Sequence, residues 1–222
     1  MPSPLTIDEV KRDPEVETYI TKGNEVLGAM GYTEHSGRHV NLVSSISRNI
    51  LSYLGFPARE CELAAIAGHL HDLGNVVNRV HHPQAGALIA MRILGRLGMP
   101  YDEVATVVAA VGNHEEDDGQ VVNNVGAAVI IADKSDVHRT RVRNTDPATF
   151  DIHDRVNYAA EYSFVRVDPK RKTITLELKI DTKISPVMEY FEIFLSRMII
   201  CRRAATFLGC NFELSMNETR LL

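Results

Sequence analysis

The sequence predicts a mostly α-helical protein, in which a helical bundle is followed by a small C-terminal α/β appendage made of a hairpin and a long helix. Two patterns indicate this fold class. Through most of the chain, apolar residues recur at three- and four-residue spacing between glycines and prolines, which is typical of amphipathic helices. Further on, short alternating runs surround a turn, which is typical of strands. We expect an N-terminal helical extension at residues 1–34, the bundle at 35–145, and the appendage at 146–222, packed on the bundle.

The predicted bundle contains five helices that end at glycines or polar turns. They run from about Val40 to Leu54, Ala58 to Asp72, Pro83 to Gly98, Tyr101 to His114, and Asn123 to Arg141. Glycine just past a last turn and proline in a first turn are common helix-end signals. In the fifth helix, Lys134 and His138 would share a face because they are four residues apart.

The appendage begins with the stretch EYSFVRVDPKRKTITLELKI, which predicts a hairpin turning at Asp168-Pro169-Lys170. The stretch SPVMEYFEIFLSRMIICRRAATFLG predicts a long helix ending at Gly209, and NFELSMN predicts a third strand. The large apolar residues of the long helix are expected to pack on the hairpin and the bundle. A homodimer formed through this helix is a further prediction.

Composition narrows the class of protein. The 222 residues are 45% hydrophobic and 24% charged, which is typical of a globular chain that buries its own core. A net charge of −5 argues against general binding to nucleic acids or anionic membranes. Neither a signal peptide nor a long apolar stretch is visible, so we expect no membrane span. The three cysteines match neither a disulfide framework nor a zinc pattern, which favours a reducing, cytoplasmic location.

Histidines and aspartates recur at the ends of the predicted helices. In chain order they are His39, His71, Asp72, His82, His114 and Asp133. His71 and Asp72 lie side by side in GHLHDLGN, and Asp133 lies in the apolar stretch AAVIIADKSD. A carboxylate among apolar neighbours is costly unless it is paired, hydrogen-bonded or bound to a metal. Because helix ends can bring ligands to the centre of a bundle, we expect a metal site here.

This order of His, His-Asp, His, His and Asp resembles the HD superfamily of metal-dependent phosphohydrolases. The resemblance is carried by HVNLV, HDLG, HHPQAGA, GNHEEDDG and IADKSD, across roughly half of the chain. Two of these segments look like the cyclic-dinucleotide phosphodiesterase branch that bears a GYP signature. The chain departs from that branch, because Asn113 stands where the branch has a second histidine and no GYP is present. We therefore expect neither cyclic-di-GMP activity nor a third metal ion.

The resemblance implies an HD-domain bundle and a role for each matched residue. The ligands of a first metal ion would be His39, His71, Asp72 and Asp133, and His82 and His114 would bind a second ion that Asp72 bridges to the first. His71 and Asp72 would form the catalytic centre. His82 is preferred over His81 because it precedes Pro83. His35, one helical turn before His39, is a further ligand, a group that orients a ligand, or a surface residue.

Four imidazoles and two carboxylates suit a divalent transition metal, Mn, Fe, Co, Ni or Zn, better than Mg. Two such ions, about 3.5–4 Å apart, can activate a water molecule and clamp a phosphoryl group. The predicted activity is hydrolysis of a phosphate ester: a nucleotide, another phosphomonoester or a phosphodiester. The predicted partner is therefore a small phosphorylated substrate.

Phosphate also needs positive groups near the metal ions, and arginine matches it with two parallel hydrogen bonds. The candidates are Arg38, Arg79, Lys134, Arg139 and Arg141. The EEDDG stretch, Glu115 to Gly119, could supply a base or a hydrogen bond to a ligand imidazole, but a solvated acidic loop is the favoured interpretation. Asn75 stands where relatives often carry a lysine, which removes one expected positive group.

Two alternatives remain open from the sequence. The same ligand order resembles the di-iron oxygenases of the superfamily, such as myo-inositol oxygenase, which cleave a C–C or C–P bond. The bundle could instead be a non-catalytic nucleotide-binding module with a structural metal site.

Overall fold

Helices make up most of residues 4–221, the part of the chain that this computed structural model describes. The helices are α1 (Ile7–Lys11), α2 (Pro14–Ala29), α3 (Gly37–Tyr53), α4 (Ala58–Leu70), α5 (His82–Arg96), α6 (Tyr101–Gly112), α7 (Asn124–Lys134), α8 (Ile152–Ala159) and α9 (Val187–Phe207). Short 3-10 turns lie at Leu73–Val76, Arg139–Arg141 and Pro147–Thr149. The strands are β1 (Ala160–Asp168), β2 (Thr173–Ile180), β3 (Asn211–Met216) and β4 (Thr219–Arg220). The predicted fold class is confirmed.

The centre of the bundle is formed by α4 and α7. α4 is buried on nearly every side in its second half, LAAIAGHL, and α7 is buried along nearly its whole length, VGAAVIIA. A helix that is apolar all round has to lie inside the protein. α3 packs against both of these helices, and α5 packs against α6. The C-terminal ends of α4 and α7 are therefore deep inside the molecule, where the His71-Asp72 pair and Asp133 occur.

The N-terminal helices are closed by side-chain caps. Thr6 and Glu9 form a reciprocal capping box at α1, and Asp13 accepts hydrogen bonds from the N–H groups of Glu15 and Val16 at the start of α2. α2 packs against the 3-10 turn that follows Asp72. The extension thus supports the backbone next to the His-Asp pair.

The appendage is a four-stranded sheet in the order β1-β2-β3-β4, covered by α9. β1 and β2 form the predicted antiparallel hairpin, with Asp168 opposite Thr173. β3 pairs parallel to β2, and α9 is the crossover that a parallel pair requires. α9 also packs against α7, so the appendage touches the central helix of the bundle. The short α8 and β4 were not predicted.

One helix prediction was wrong in its extent. α7 ends at Lys134, and His138 has an extended backbone with φ −159° and ψ 148°. Lys134 and His138 therefore do not share a helical face. The helix stops because Ser135 donates back to the Ala132 carbonyl, while Asp136 turns inward to buried partners. The second predicted helix likewise ends two residues earlier than expected, at Leu70, before the 3-10 turn.

Among the helices of residues 4–221, none has the combined length and apolarity needed to cross a membrane.

Candidate metal centre

The six predicted ligands converge in one buried cluster. α3 contributes His39, the end of α4 contributes His71 and Asp72, α5 begins with His82, α6 is followed by His114, and α7 carries Asp133. The histidines are at most 2% exposed. Within the cluster, Nε2 of His39 lies 3.3 Å from Nε2 of His71 and 3.3 Å from Oδ1 of Asp133.

A second group of atoms adjoins the first through Asp72. Nε2 of His82 lies 3.4 Å from Oδ1 of Asp72 and 3.1 Å from Nε2 of His114. The other carboxylate oxygen of Asp72 faces the first group, 3.4 Å from Nε2 of His71 and 3.6 Å from Nε2 of His39. One aspartate thus has an oxygen on each side of the cluster.

All four imidazoles are held by their Nδ1 atoms. The Nδ1 atoms of His71, His82 and His114 lie 2.7 to 2.9 Å from the carbonyl oxygens of Gly68, Arg79 and Val111, three residues earlier in each case. A carbonyl can only accept, so each Nδ1 donates and Nε2 is the ring atom that faces the cluster. The rings are therefore oriented to bind a metal through Nε2, and a protonated Nε2 would lose its proton on binding.

His39 has a charged partner instead. Its Nδ1 donates to Oδ2 of Asp136 at 2.7 Å, and Asp136 also accepts hydrogen bonds from Arg38. Asp136 is 3% exposed, and although burial opposes ionisation, His39 and Arg141 hold its pKa well below the ordinary value. A carboxylate behind a ligand imidazole fixes the ring and raises its basicity. Sequence reasoning missed Asp136, although it lies in the quoted IADKSD stretch.

Asp72 carries a buried oxygen that fits a cation. Oδ1 accepts a hydrogen bond from Asn75 at 2.8 Å. Oδ2 is buried, and no protein group within residues 4–221 donates a hydrogen bond to it. Leaving a buried carboxylate oxygen unpaired costs free energy, whereas a metal ion would satisfy it. Together with the donor set, this orphan oxygen shows that the residues fit a divalent metal.

Burial and the neighbouring charges shift the pKa values of several predicted ligands, in different directions. Burial opposes the charge on Asp72, but the imidazoles around it, His71 foremost, hold its pKa well below the ordinary value. Burial lowers the pKa of His114 well below the ordinary value, and neighbouring imidazoles add to the effect. Burial would also lower the pKa of His71, but Asp72 and Asp133 raise it to about 9. Metal binding at His71 would therefore release a proton.

A chain of charges borders the cluster. Lys134 is 2% exposed, and its Nζ lies 2.9 Å from Oδ2 of Asp133 and 2.6 Å from Oε2 of Glu116. Glu116 in turn accepts from Nε of Arg197, on α9, at 3.0 Å. This chain fixes the carboxylate of Asp133 and ties the appendage to the metal centre. Arg197 gave no signal in the sequence, because it is one of several basic residues on a long helix.

Glu115 joins the charged chain to the second group of ligands. Its Oε2 lies 3.3 Å from Nε2 of His82 and 3.3 Å from Arg79, and its Oε1 lies 3.3 Å from Lys134. Burial opposes its charge, but Lys134 and Arg79 lower its pKa to about 2. Glu115 is therefore ionised throughout the neutral range.

His35 lies beside the cluster with its ring 5.3 Å from that of His39. Its Nδ1 lies 2.8 Å from the Thr33 carbonyl oxygen, and its Nε2 accepts from Arg141 at 2.9 Å. Burial and Arg141 keep the pKa of His35 well below its ordinary value. His35 is in none of the groups of residues within 4–221 whose ligand atoms converge as a metal site would require, so we place it beside the predicted ligands.

The structure separates the predicted phosphate-binding residues. Arg79 lies at the cluster, 3.2 Å from Nε2 of His82, and Lys134 lies within the charged chain. Arg141 is buried beside His35. Arg38 instead pairs with Glu34 and Asp136 on the far side of His39. Arg139 lies over the ring of Tyr158, away from the ligands.

Comparison with known proteins supports the sequence resemblance. Residues 32–141 match the HD domain family. A curated relative, the uncharacterized protein MJ1020 of Methanocaldococcus jannaschii, is 25% identical over an alignment of 162 positions, and the match covers 63% of this chain and 62% of the relative. Among solved structures, a predicted HD superfamily hydrolase from an uncultured Thermotogales bacterium is similar, with 22% identity, a TM-score of 0.42, and coverage of 60% of this chain and 75% of that one.

The helical bundle with its His-Asp cluster defines an HD domain, and the family match covers all six predicted ligands. The chain therefore contains an HD domain, at residues 32–141. It spans about three fifths of the length of the curated relative that it matches.

Proposed function

We propose that this protein is a metal-dependent phosphohydrolase that cleaves a phosphate ester. The observation that carries the proposal is the buried cluster, in which four Nε2 atoms and two carboxylates face one another with arginine at the border. A carboxylate-rich centre alone would repel a phosphate dianion. Bound cations and the neighbouring guanidinium groups would make the net charge around the phosphate positive, so that the site attracts it.

Two ions fit the donor set, with Asp72 shared between them. One would be held by His39, His71, Asp72 and Asp133, and the other by Asp72, His82 and His114. The mixture of imidazole and carboxylate favours a divalent transition metal. When bound, such ions activate water near neutral pH and neutralise charge on a phosphoryl group.

The surrounding side chains have separate tasks in this proposal. Arg79 orients the phosphoryl group, because its guanidinium lies beside His82 and is steered by Glu115. Lys134 holds Asp133 in position and compensates the local negative charge. Glu115 is a poor proton acceptor at neutral pH because its pKa is about 2. We therefore assign it to positioning Arg79 and His82.

The oxygenase and the non-catalytic module would use the same six ligands. Guanidinium groups at the cluster favour a phosphorylated ligand. For this reason we prefer phosphate-ester hydrolysis to the oxygenase and to the non-catalytic module. The oxygenase predicts iron as the dominant metal and consumption of oxygen with a polyol or phosphonate substrate. The non-catalytic module predicts tight nucleotide binding, full stability without metal, and no turnover.

The test begins with the metal content of protein purified without chelators, followed by a screen of phosphate esters that includes nitrophenyl phosphates. We expect about two transition-metal ions per chain and hydrolysis of at least one ester class. Asp72→Ala should lose the bound metal and the hydrolytic activity. The control Asp102→Ala, at an exposed site in the first turn of α6, should keep the metal and the activity. Metal-loaded protein that hydrolyses no ester in a broad panel would contradict the proposal.

A further inference from the structure

A cavity of about 400 Å³ lies between the bundle and the appendage. One wall is the segment between α2 and α3, with Tyr32 and His35, and the opposite wall is formed by α8 and α9. Tyr32 and Arg79 also line a smaller neighbouring cavity that contains His82 and Glu115. The larger cavity therefore adjoins the proposed metal centre, because these two residues separate it from the cavity that His82 and Glu115 line.

The end of the cavity near the metal centre is rich in positive charge. Arg79, Arg141 and Arg197 line it from three different parts of the chain. Arg141 is committed to the protein, because its nitrogens donate to the carbonyls of Glu34 and Asp136 and to His35. Arg79 and Arg197 are partly open, with side chains 20% and 23% exposed.

Arg197 is held in place for an anion. Its Nε donates to Glu116, and its guanidinium lies 4.5 Å from the centre of the Phe194 ring. A guanidinium has five N–H donors, and the contact with Glu116 uses one of them. The side chain is thus oriented by two fixed contacts and retains donors for a ligand.

The outer end of the cavity has the opposite character. It is lined by Asp151, His153 and Asp154 from the start of α8. One oxygen of Asp151 caps the helix by accepting from the Asp154 N–H at 2.8 Å, and one oxygen of Asp154 accepts from Asn144 at 3.3 Å. A carboxylate has about four acceptor positions, so both side chains keep acceptor capacity.

We propose that the cavity binds a small phosphomonoester that carries several hydroxyl groups, with its phosphate at Arg79 and Arg197 and its hydroxyls at Asp151 and Asp154. A phosphate cannot lie at the acidic end without repulsion, whereas hydroxyl groups are good donors to carboxylates. The volume suits a compact ligand of this kind. The appendage is then a part of the substrate site, because α8 and α9 supply three of these four side chains.

The position of the phosphate in this inference rests on the proposed function. Measuring binding without hydrolysis tests the inference separately from the proposed function. The probes are phosphonates, which resist hydrolysis: methylphosphonate as the head group alone, the phosphonate analogue of ribose 5-phosphate, and the phosphonate analogue of adenosine 5′-monophosphate. Dissociation constants are measured by calorimetry on the full metal-loaded chain, and the metal content of every variant is checked.

We expect the ribose analogue to bind at least tenfold more tightly than methylphosphonate. Arg197→Gln should weaken the binding of both probes at least tenfold, since it removes a charge-assisted hydrogen bond to the phosphonate. Asp154→Asn should weaken only the ribose analogue. Arg197→Lys keeps the positive charge, so it should bind both probes more tightly than Arg197→Gln does. It replaces Arg197→Gln in the test if that variant does not fold stably. The controls Arg166→Gln, on the hairpin, and Asp102→Asn should bind both probes like the wild type.

The inference is overturned if Asp154→Asn and Asp151→Asn both leave the ribose analogue unaffected, or if Arg197→Gln changes neither probe. Tightest binding of the adenosine analogue, insensitive to Asp154→Asn, would also overturn it in favour of recognition of a base. Binding as expected without hydrolysis of any ester would remove the proposed function and leave the inference standing. Hydrolysis of an ester, with no effect of the Asp151 and Asp154 variants on binding, would remove the inference and leave the proposed function standing.

Discussion

A β-carbon on residue 74 would lie 1.9 Å from the carbonyl oxygen of His82, because the first turn of α5 rests directly on the backbone of Gly74. The same β-carbon would lie 2.6 Å from the Gly86 nitrogen. No side chain can be added there without moving α5. The glycine of HDLG therefore sets the distance between the His71-Asp72 pair and His82.

Gly74→Ala should displace α5 and with it His82. We expect a loss of about 1–3 kcal/mol in the free energy of unfolding, as for an overpacked core. We also expect the metal content to fall by about one ion per chain, measured by elemental analysis. Gly95→Ala is the control, because Gly95 lies in α5 itself and a β-carbon there would have nothing within 4 Å. Similar metal content in the two variants would contradict the role given to Gly74.

Asp136→Asn should weaken metal binding without removing a ligand. The amide cannot replace the charge behind His39, so the affinity should fall about 10–100-fold, as measured by competition with a chelator of known affinity. The control is Glu34→Gln, which alters the other carboxylate bound to Arg38 but leaves His39 Nδ1 paired. Equal affinities for Asp136→Asn and the wild type would show that this carboxylate does not tune the site.

Lys134→Met should destabilise the chelator-treated protein. The substitution leaves Asp133, Glu115 and Glu116 without their shared buried cation, and breaking a buried pair costs about 3–5 kcal/mol. Adding a divalent transition metal should restore part of this loss by compensating Asp133. Lys22→Met, which breaks an exposed pair with Glu25, should cost about 0.5 kcal/mol or less. Chemical denaturation with and without metal measures both, and equal losses would refute the prediction.

The cap of α2 should make stability depend on pH. Burial opposes the charge on Asp13, but hydrogen bonds from Arg96 and from the first N–H groups of the helix lower its pKa. A carboxyl with a lowered folded pKa stabilises the protein above the unfolded value, about 3.9, and this contribution is lost as the pH falls through the folded pKa.

Asp13→Asn should therefore cost about 1 kcal/mol at pH 7, the difference between charged and neutral hydrogen bonds. The cost should shrink as the pH is lowered below about 4. Denaturation curves of the two proteins across this range measure it. A cost that stays constant down to pH 2 would argue against a role for the charge.

The sequence by itself determined the fold class and the set of metal-capable residues. Apolar periodicity located the helices of the bundle, and the hairpin followed from alternation around Asp168-Pro169. The order of His39, the His71-Asp72 pair and the later ligands was readable because each lies at a helix end or in an apolar run. These patterns involve residues close together in the sequence, so they can be recognised without knowing how the helices pack. The domain boundaries and the ligand roles remain predictions.

Only the tertiary structure decided which charged side chains face that centre. Asp136, three residues after Asp133, could be placed behind His39 only once α7 was seen to end at Lys134. Arg38 and Arg139 looked equivalent to Arg79 in the sequence, yet they are directed to other partners. Arg197 is far from Asp133 in the sequence, and it reaches the site because α9 packs on α7. Apolar periodicity shows which face of a helix is buried, but it does not show which other element packs against that face, so long-range contacts of this kind cannot be read from it.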